Sequence, residues 1–345
     1  MAPDTSFPTQ DPNTYAGLAP SAAQQRLAGY VAALGRGPGK SRALSREEAR
    51  DALGLVLNGL GDPHQVGALL MLLRFRGEEP EEIAGLVEAA RGHAGAAPTA
   101  AVALDWPSYG AGRTRGCPWF LLAAMTLGAA GMPVLMHGSN EFSSGMPVAD
   151  GLAALGLSPA RARNEAADQI AVRGFAYLPL VALSPELDRL LSLRHLLGLR
   201  SPVNTVARLL NPFDAPAGID GVFHPPYIHL HLGVAEAMGY RRLTVVKGAG
   251  GEAERNPLKR LEAQIWQAGN GRSPAEFEAI AENGQPDMPV DAAGFRAVWR
   301  GEDDNARALA TILGTVALGL LATGKAKEPG EADVLARELW RARHG

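Results

Sequence analysis

The chain has 345 residues, 46% hydrophobic and 20% charged, enough for two cooperating domains or one elaborated α/β domain and too balanced for a disordered or collagen-like chain. Thirty-three basic against thirty-six acidic side chains give a formal charge of -3, which excludes a uniformly basic nucleic-acid binder and makes any polyanion site local. A single cysteine, Cys117, excludes a disulfide framework and a multi-cysteine metal site, so a reducing, cytoplasmic setting is expected.

Residues 1–20 begin with an acid and two prolines where a signal peptide would have basic residues and an apolar run, and are expected to form a disordered arm. From Ser21 to about Ala97 the pattern is helical. Ser21 with Gln24 and Ser45 with Glu48 have capping-box spacing, and Asp62-Pro63 is an N-cap followed by proline at the first helical position. Gly77 stops the helix ending Arg74-Phe75-Arg76, and Pro80 opens the next. Four such short helices cannot enclose a large core and must pack on something else.

From Val102 onward, short apolar runs alternate with helical stretches, the pattern of β–α–β units around a mainly parallel sheet. Strands are expected at 102–104, 133–137, 174–178, 243–247 and 262–266. Helices are expected at 118–130, 148–155, 225–238, 305–323 and 330–343. The apolar run 120–136 is broken by Gly128, Gly131 and Pro133, so it reads as a buried helix and a strand, with no membrane partner. A helical piece at 185–210 is expected to return to the N-terminal helices. The division is therefore a helical domain at 21–98 and 180–212 and an α/β domain at 99–179 and 213–345.

Three loops at expected strand ends carry polar or glycine-rich sequence. The first, Ser108-Tyr109-Gly110-Ala111-Gly112-Arg113-Thr114-Arg115-Gly116, reads either as a tight turn or as a backbone cradle for an anion with two arginines beside it. The second is His137-Gly138-Ser139-Asn140-Glu141-Phe142-Ser143-Ser144-Gly145, whose polar groups serve a ligand or cap the next helix. The third, 247–257, contains Glu252 and Glu254, a magnesium pair or two solvated acids. Among His224, His229 and His231, the last two are two apart in an expected helix and point to different faces, which argues against zinc.

These loops follow a helical segment running from Gly67 through Arg74, Pro80 and Glu82 to Gly85. With Arg194-His195-Leu196-Leu197-Gly198-Leu199-Arg200, the Asn211-Pro212 turn and the Asp304-Asn305-Ala306 helix start, they resemble the anthranilate phosphoribosyltransferases of glycosyltransferase family 3 over residues 25–345. The resemblance implies a small, mostly helical dimerisation domain and a large α/β domain with a mainly parallel central sheet, the nucleoside phosphorylase and phosphoribosyltransferase fold. It places phosphoribosyl pyrophosphate in the cleft between the domains and Arg194 on the acceptor carboxylate.

The donor motifs depart from the family. Ser108 to Arg113 stand where the enzymes carry Gly-Thr-Gly-Gly-Asp-Gly, and Pro118-Trp119-Phe120-Leu121 stand where Asn-Ile-Ser-Thr holds pyrophosphate and magnesium. Met136-His137-Gly138-Ser139 replaces Lys-His-Gly-Asn, and Ala253-Glu254 replaces the Asp-Glu metal pair. Together with His224-Pro225-Pro226-Tyr227-Ile228 and the Gly251-Glu252 and Asn256-Pro257 pairs, these departures resemble the YbiB-type branch of the family, associated with binding nucleic acid.

Residues 161–260 hold thirteen basic and nine acidic side chains, net +4, whereas 45–91 and 275–345 are each net -4. The expectation is a homodimer that binds single- or double-stranded nucleic acid without sequence specificity, along a groove of Arg113, Arg115, Arg194, Arg200, Arg208, Lys247, Arg255, Lys259 and Arg260. A vestigial donor site is assigned to Tyr109, Gly110, Gly112, His137, Gly138, Ser139, Ser143 and Ser144, with no catalytic residue and no cofactor. The alternative is a glycosyl or phosphoribosyl transferase acting on an acidic acceptor, with Glu252 and Glu254 on magnesium.

Overall fold

The computed structural model describes residues 20–37, 39–110, 116–139, 141, 145–281 and 291–344. Four helices come first: α1 (Ala22–Gly35), α2 (Arg46–Leu57), α3 (Pro63–Arg76) and α4 (Pro80–Ala94). Ser21, Ser45 and Asp62 each accept a backbone N–H from the first turn of the helix they precede, and Gln24, Glu48 and Gln65 return the bond to the cap residue. These helices cannot bury Leu69, Leu73, Ile83 and Val87 by themselves. The four join one core with Leu187, Val206 and Leu232 from far along the chain.

The remainder alternates strands and helices. Its first half is β1 (Leu104–Ser108), α5 (Trp119–Ala129), β2 (Val134–Gly138), α6 (Val148–Ala154), α7 (Arg163–Arg173) and β3 (Phe175–Pro179). Four short helices follow: α8 (Leu180–Leu183), α9 (Pro185–Ser192), α10 (Arg194–Leu197) and α11 (Val203–Arg208). The second half is β4 (Ala217–Val222), α12 (Pro226–Ala237), β5 (Arg242–Lys247), β6 (Leu261–Gln267), β7 (Gly271–Phe277), α13 (Ala292–Arg300), α14 (Ala306–Ala322) and α15 (Pro329–Ala342). No described helix is long and apolar enough to cross a membrane.

The seven described strands form one sheet in the order β3-β2-β1-β4-β5-β6-β7. The first five are parallel and the last two antiparallel. Sequence order reverses between β1 and β4, so the loops leaving their C-terminal ends diverge to opposite sides and open a crevice. The helices α10 and α11 border that crevice. Among them α11 packs on α4, and Arg91 of α4 donates to the Leu210 carbonyl at 2.5 Å, tying this piece to the N-terminal helices.

Several elements differ from the sequence expectation. β1 continues to Ser108 through Asp105, Trp106 and Pro107, and β4, β7, α7 and α13 are additional. β4 reads Ala-Gly-Ile-Asp-Gly-Val, and glycine and aspartate are poor strand formers when nothing else intervenes. Here the tertiary fold requires them. A Cβ on Gly221 would lie 2.2 Å from the Glu252 carbonyl carbon, and one on Gly138 would lie 1.8 Å from the Ser108 carbonyl oxygen. Neighbouring backbones therefore touch at the strand ends, which draws the loops after β1, β2 and β5 together.

Because the Gly138 contact is with backbone that cannot rotate away, Gly138→Ala is expected to lower unfolding free energy by at least about 1–3 kcal/mol. Chemical denaturation followed by circular dichroism measures this; an unchanged midpoint would show that β1 and β2 can separate freely at their ends.

Candidate functional site

The crevice at the β1–β4 reversal holds a cavity of about 300 Å³. Four arginines line it from three regions: Arg74 at the end of α3, Arg194 and Arg200 at α10 and just beyond, and Arg208 at the end of α11. Tyr109 contributes from the end of β1, Phe223 and His224 from the end of β4, Tyr227 and His231 from α12, and Gly250 and Gly251 from the third loop. Gathering this many guanidiniums raises their mutual repulsion. Burial, and then the positive charges of Arg194, Arg208 and Arg74, lower the Arg200 guanidinium from its usual range. Such a cluster is relieved by an anion.

A buried carboxylate organises one wall. Asp220 in β4 is fully buried; its Oδ1 accepts from Arg208 Nη1 at 3.0 Å and its Oδ2 from His231 Nδ1 at 2.5 Å. Burial by itself would raise the Asp220 carboxyl. The charges of His231 and Arg208, and the hydrogen bonds both donate, outweigh burial and hold it below the usual carboxylate range. Arg208 spends its other arm on the Tyr109 carbonyl at 3.2 Å. The outer wall is fixed from the second loop, where Glu141 accepts from Ser192 Oγ at 2.6 Å and pairs with His195 Nε2 at 3.0 Å, on either side of Arg194.

Across the cavity, Arg74 donates to the Tyr227 hydroxyl, which ties α3 to α12. Glu78, just past α3, is raised above the usual carboxylate range, chiefly by burial, an effect that Arg74 and Tyr227 beside it partly offset. The helical domain thus supplies one arginine and one acid to the site, and the α/β domain supplies the rest.

The donor-side assignments fare differently. His137 is fully buried, with Nδ1 2.9 Å from the Tyr109 hydroxyl and Nε2 3.3 Å from Asp105 Oδ1. It braces β1 against β2, and Gly138 is buried by the Ser108 backbone. Ser139 donates its N–H to the Ser108 carbonyl at 3.2 Å. Tyr109 borders the arginine cavity with its ring, and burial pushes its hydroxyl well above the usual range. A Cβ on Gly110 would meet Glu252 Oε1 at 2.3 Å, so that glycine is covered as well. Gly112, Arg113, Arg115, Ser143 and Ser144 lie outside the described residues.

The N-terminus of α5 is where a phosphate would be sought. Phe120 and Leu121 send their side chains into the core, and the Phe120 N–H donates to Glu254 Oε2 at 3.0 Å. Glu252 is buried and accepts from Ser108 Oγ at 3.2 Å. The protein itself engages both carboxylates, and the described residues contain no cluster of three or more metal-ligating side chains.

The nine-residue basic groove needs correction. Arg194, Arg200 and Arg208 do come together. Arg255 is fully buried, donating to Asp333 at 2.7 Å and the Glu278 carbonyl at 2.6 Å with its guanidinium 4.5 Å from the Phe277 ring centroid, so it cannot meet a nucleic-acid phosphate. Arg260 is exposed but paired with Glu276 and Glu278, and neither it, Lys259 nor Lys247 borders the cavity. Arg74, Glu78, Asp220 and His231 are additions. Arg74 carries no sequence signal beyond a cation at a helix end, and Asp220 lies in a strand the composition hides.

Residues 29–94 match the helical bundle domain of a glycosyl transferase family, and residues 120–339 match its a/b domain. The chain is 31% identical over 309 residues to an anthranilate phosphoribosyltransferase of Myxococcus xanthus strain DK1622, covering 86% of this chain and 90% of that protein. Another from Chelativorans sp. strain BNC1 is 29% identical over 312 residues, covering 86% and 89%. Among solved structures, the anthranilate phosphoribosyltransferase of Thermus thermophilus superposes with a TM-score of 0.74 at 22% identity, covering 92% of this chain and 95% of that one. That of Saccharomyces cerevisiae in complex with phosphoribosyl pyrophosphate and Mg gives 0.72 at 18% identity, covering 93% and 94%.

Since the Asp220 carboxyl titrates lower folded than unfolded, its stabilisation is complete above the ordinary carboxylate range and is lost as pH falls through the depressed folded value. Asp220→Asn leaves Arg208 buried without its counter-charge and is expected to cost about 3–5 kcal/mol near neutral pH. Urea midpoints of wild type and variant should converge on acidification; a pH-independent difference would contradict the assigned pair.

Proposed function

The chain belongs to the glycosyl transferase family that contains the anthranilate phosphoribosyltransferases, and from that premise we propose that it is a transferase whose acceptor is a small acid held in the arginine cavity. The convergence of Arg74, Arg194, Arg200 and Arg208 on one cavity at the sheet reversal carries this reading. A volume of about 300 Å³ suits a compact, drug-sized or smaller ligand. Paired guanidinium forks suit a carboxylate by donating two parallel hydrogen bonds. The group transferred is a glycosyl or phosphoribosyl group. The donor meets a remodelled α5 end, where Glu254 already accepts the Phe120 N–H, so binding of its leaving group falls to other residues.

Titration with anthranilate and salicylate by calorimetry, then with phosphoribosyl pyrophosphate and magnesium added to follow pyrophosphate release, tests the proposal. Arg194→Ala and Arg200→Ala should each weaken acid binding by about 10- to 100-fold, the equivalent of about 1.5–3 kcal/mol for a charged hydrogen bond. Acid binding that survives both substitutions would remove the cavity from the proposal.

A second reading rests on a separate observation. Phe223 is 44% exposed at the cavity rim with the Arg200 guanidinium 5.8 Å from its ring centroid, a platform on which a nucleobase could stack while arginines meet phosphates. Single-stranded oligonucleotides that bind with a steep salt dependence, and are not displaced by the acids, would favour nucleic acid over an acidic acceptor.

The same family membership supports a homodimer through the helical domain. Phe75 at the end of α3 is 92% exposed and Leu196 in α10 is 83% exposed, apolar surface that association would cover. Phe75→Glu is expected to convert a dimer into a monomer in sedimentation equilibrium, and a wild-type monomer would overturn the dimer.

A further inference from the structure

His231 is 1% exposed, borders the arginine cavity, and is fixed by its neighbours. Its Nδ1 donates to Asp220 Oδ2 at 2.5 Å, and Asp220 is itself held by Arg208 at 3.0 Å. The carboxylate therefore sets both the tautomer and the ring plane, leaving Nε2 as the nitrogen with an available lone pair. Among the described residues no hydrogen bond is made to that nitrogen.

We infer that His231, oriented by Asp220, is the proton acceptor for the nucleophilic group of the acid bound by Arg194 and Arg200. This rests on the acidic-acceptor reading and adds a residue to it. The arginines neutralise a carboxylate that is already ionised, so they cannot activate the atom that attacks. That atom is an amine or hydroxyl on the same small acid. In the step, its lone pair forms a bond to the anomeric carbon of the glycosyl donor. The bond from that carbon to the leaving oxygen breaks, and the electron pair departs with the oxygen of an anionic leaving group. The proton of the amine or hydroxyl passes to His231 Nε2, and the resulting imidazolium is stabilised by Asp220 through Nδ1.

Asp220 from β4, Arg208 from α11, Arg74 from α3 and Arg200 beyond α10 are charged groups around the ring, with Glu78 after α3 and Tyr227 one turn earlier on α12 beside them. An incoming carboxylate offsets the arginines, and the Asp220 carboxylate is in place to stabilise a proton taken up at Nε2.

Two variants separate this role from a structural one. His231→Asn keeps an amide at the δ position to donate to Asp220 and deletes Nε2, whereas His231→Gln places at the ε position an amide that cannot take a proton. Both are measured by calorimetry with anthranilate and by pyrophosphate release from phosphoribosyl pyrophosphate across pH. For His231→Asn the expected result is acid binding within about twofold of wild type, turnover lower by about 10²- to 10⁴-fold, and loss of the acid limb of the pH–rate profile. Unchanged turnover with an unchanged profile overturns the inference. Should neither variant fold, nitrogen-15 spectra of the wild-type histidines take their place: the Nε2 resonance of His231 shifts when anthranilate binds, and its constancy while calorimetry records binding overturns the inference. Wild type that binds no acid and turns over none overturns the acidic-acceptor reading, and His231 falls with it.

Discussion

Placing the Asp220 carboxylate in the middle of a sheet is unfavourable by several kcal/mol unless a cation and hydrogen-bond donors answer it, and the groups that answer it define this site. Arg208 comes from the short helices that border the crevice, and His231 comes from the helix that follows β4. One buried acid therefore pins three elements to a common point, and Arg208 extends the tie to the backbone of Tyr109 at the end of β1. Removing Arg208 or Asp220 leaves the other buried without its counter-charge.

Around that anchor four arginines gather at one cavity. Asp220 answers Arg208, and the partly buried Glu78 lies near Arg74, but Arg200 is lowered by burial and by three like charges. Binding of an anion offsets such a concentration of like charge, and the proposed acceptor site rests on that. The global charge of -3 conceals this completely.

The donor side follows the opposite logic. Apolar side chains fill the start of α5, Glu254 accepts the Phe120 N–H, and Glu252 sits against Gly110 and Ser108. Positions that could face a phosphate have been turned to holding the loops after β1, β2 and β5 together. His137 is the plainest case: a histidine at a strand end, where ligands are sought, that joins Tyr109 to Asp105 inside the protein.

The sequence by itself determined the fold class, the capped helices of the first domain, the parallel strands that read as apolar runs, and the glycosyl transferase family, because these are written in local spacing and in motifs. It also singled out Arg194, whose segment carries the resemblance. It did not reveal β4, since glycine and aspartate there answer to close backbone contact and a buried ion pair and not to strand propensity. It could not separate Arg255, packed on Phe277 and paired with Asp333, from Arg200, because an arginine looks alike in sequence whether it is buried or borders a cavity. Only the tertiary structure decided those matters, together with the meeting of Arg74 with Tyr227 and of His231 with Asp220. The reason is physical: charge environment and burial depend on residues far apart along the chain, and spacing alone carries no record of which of them meet.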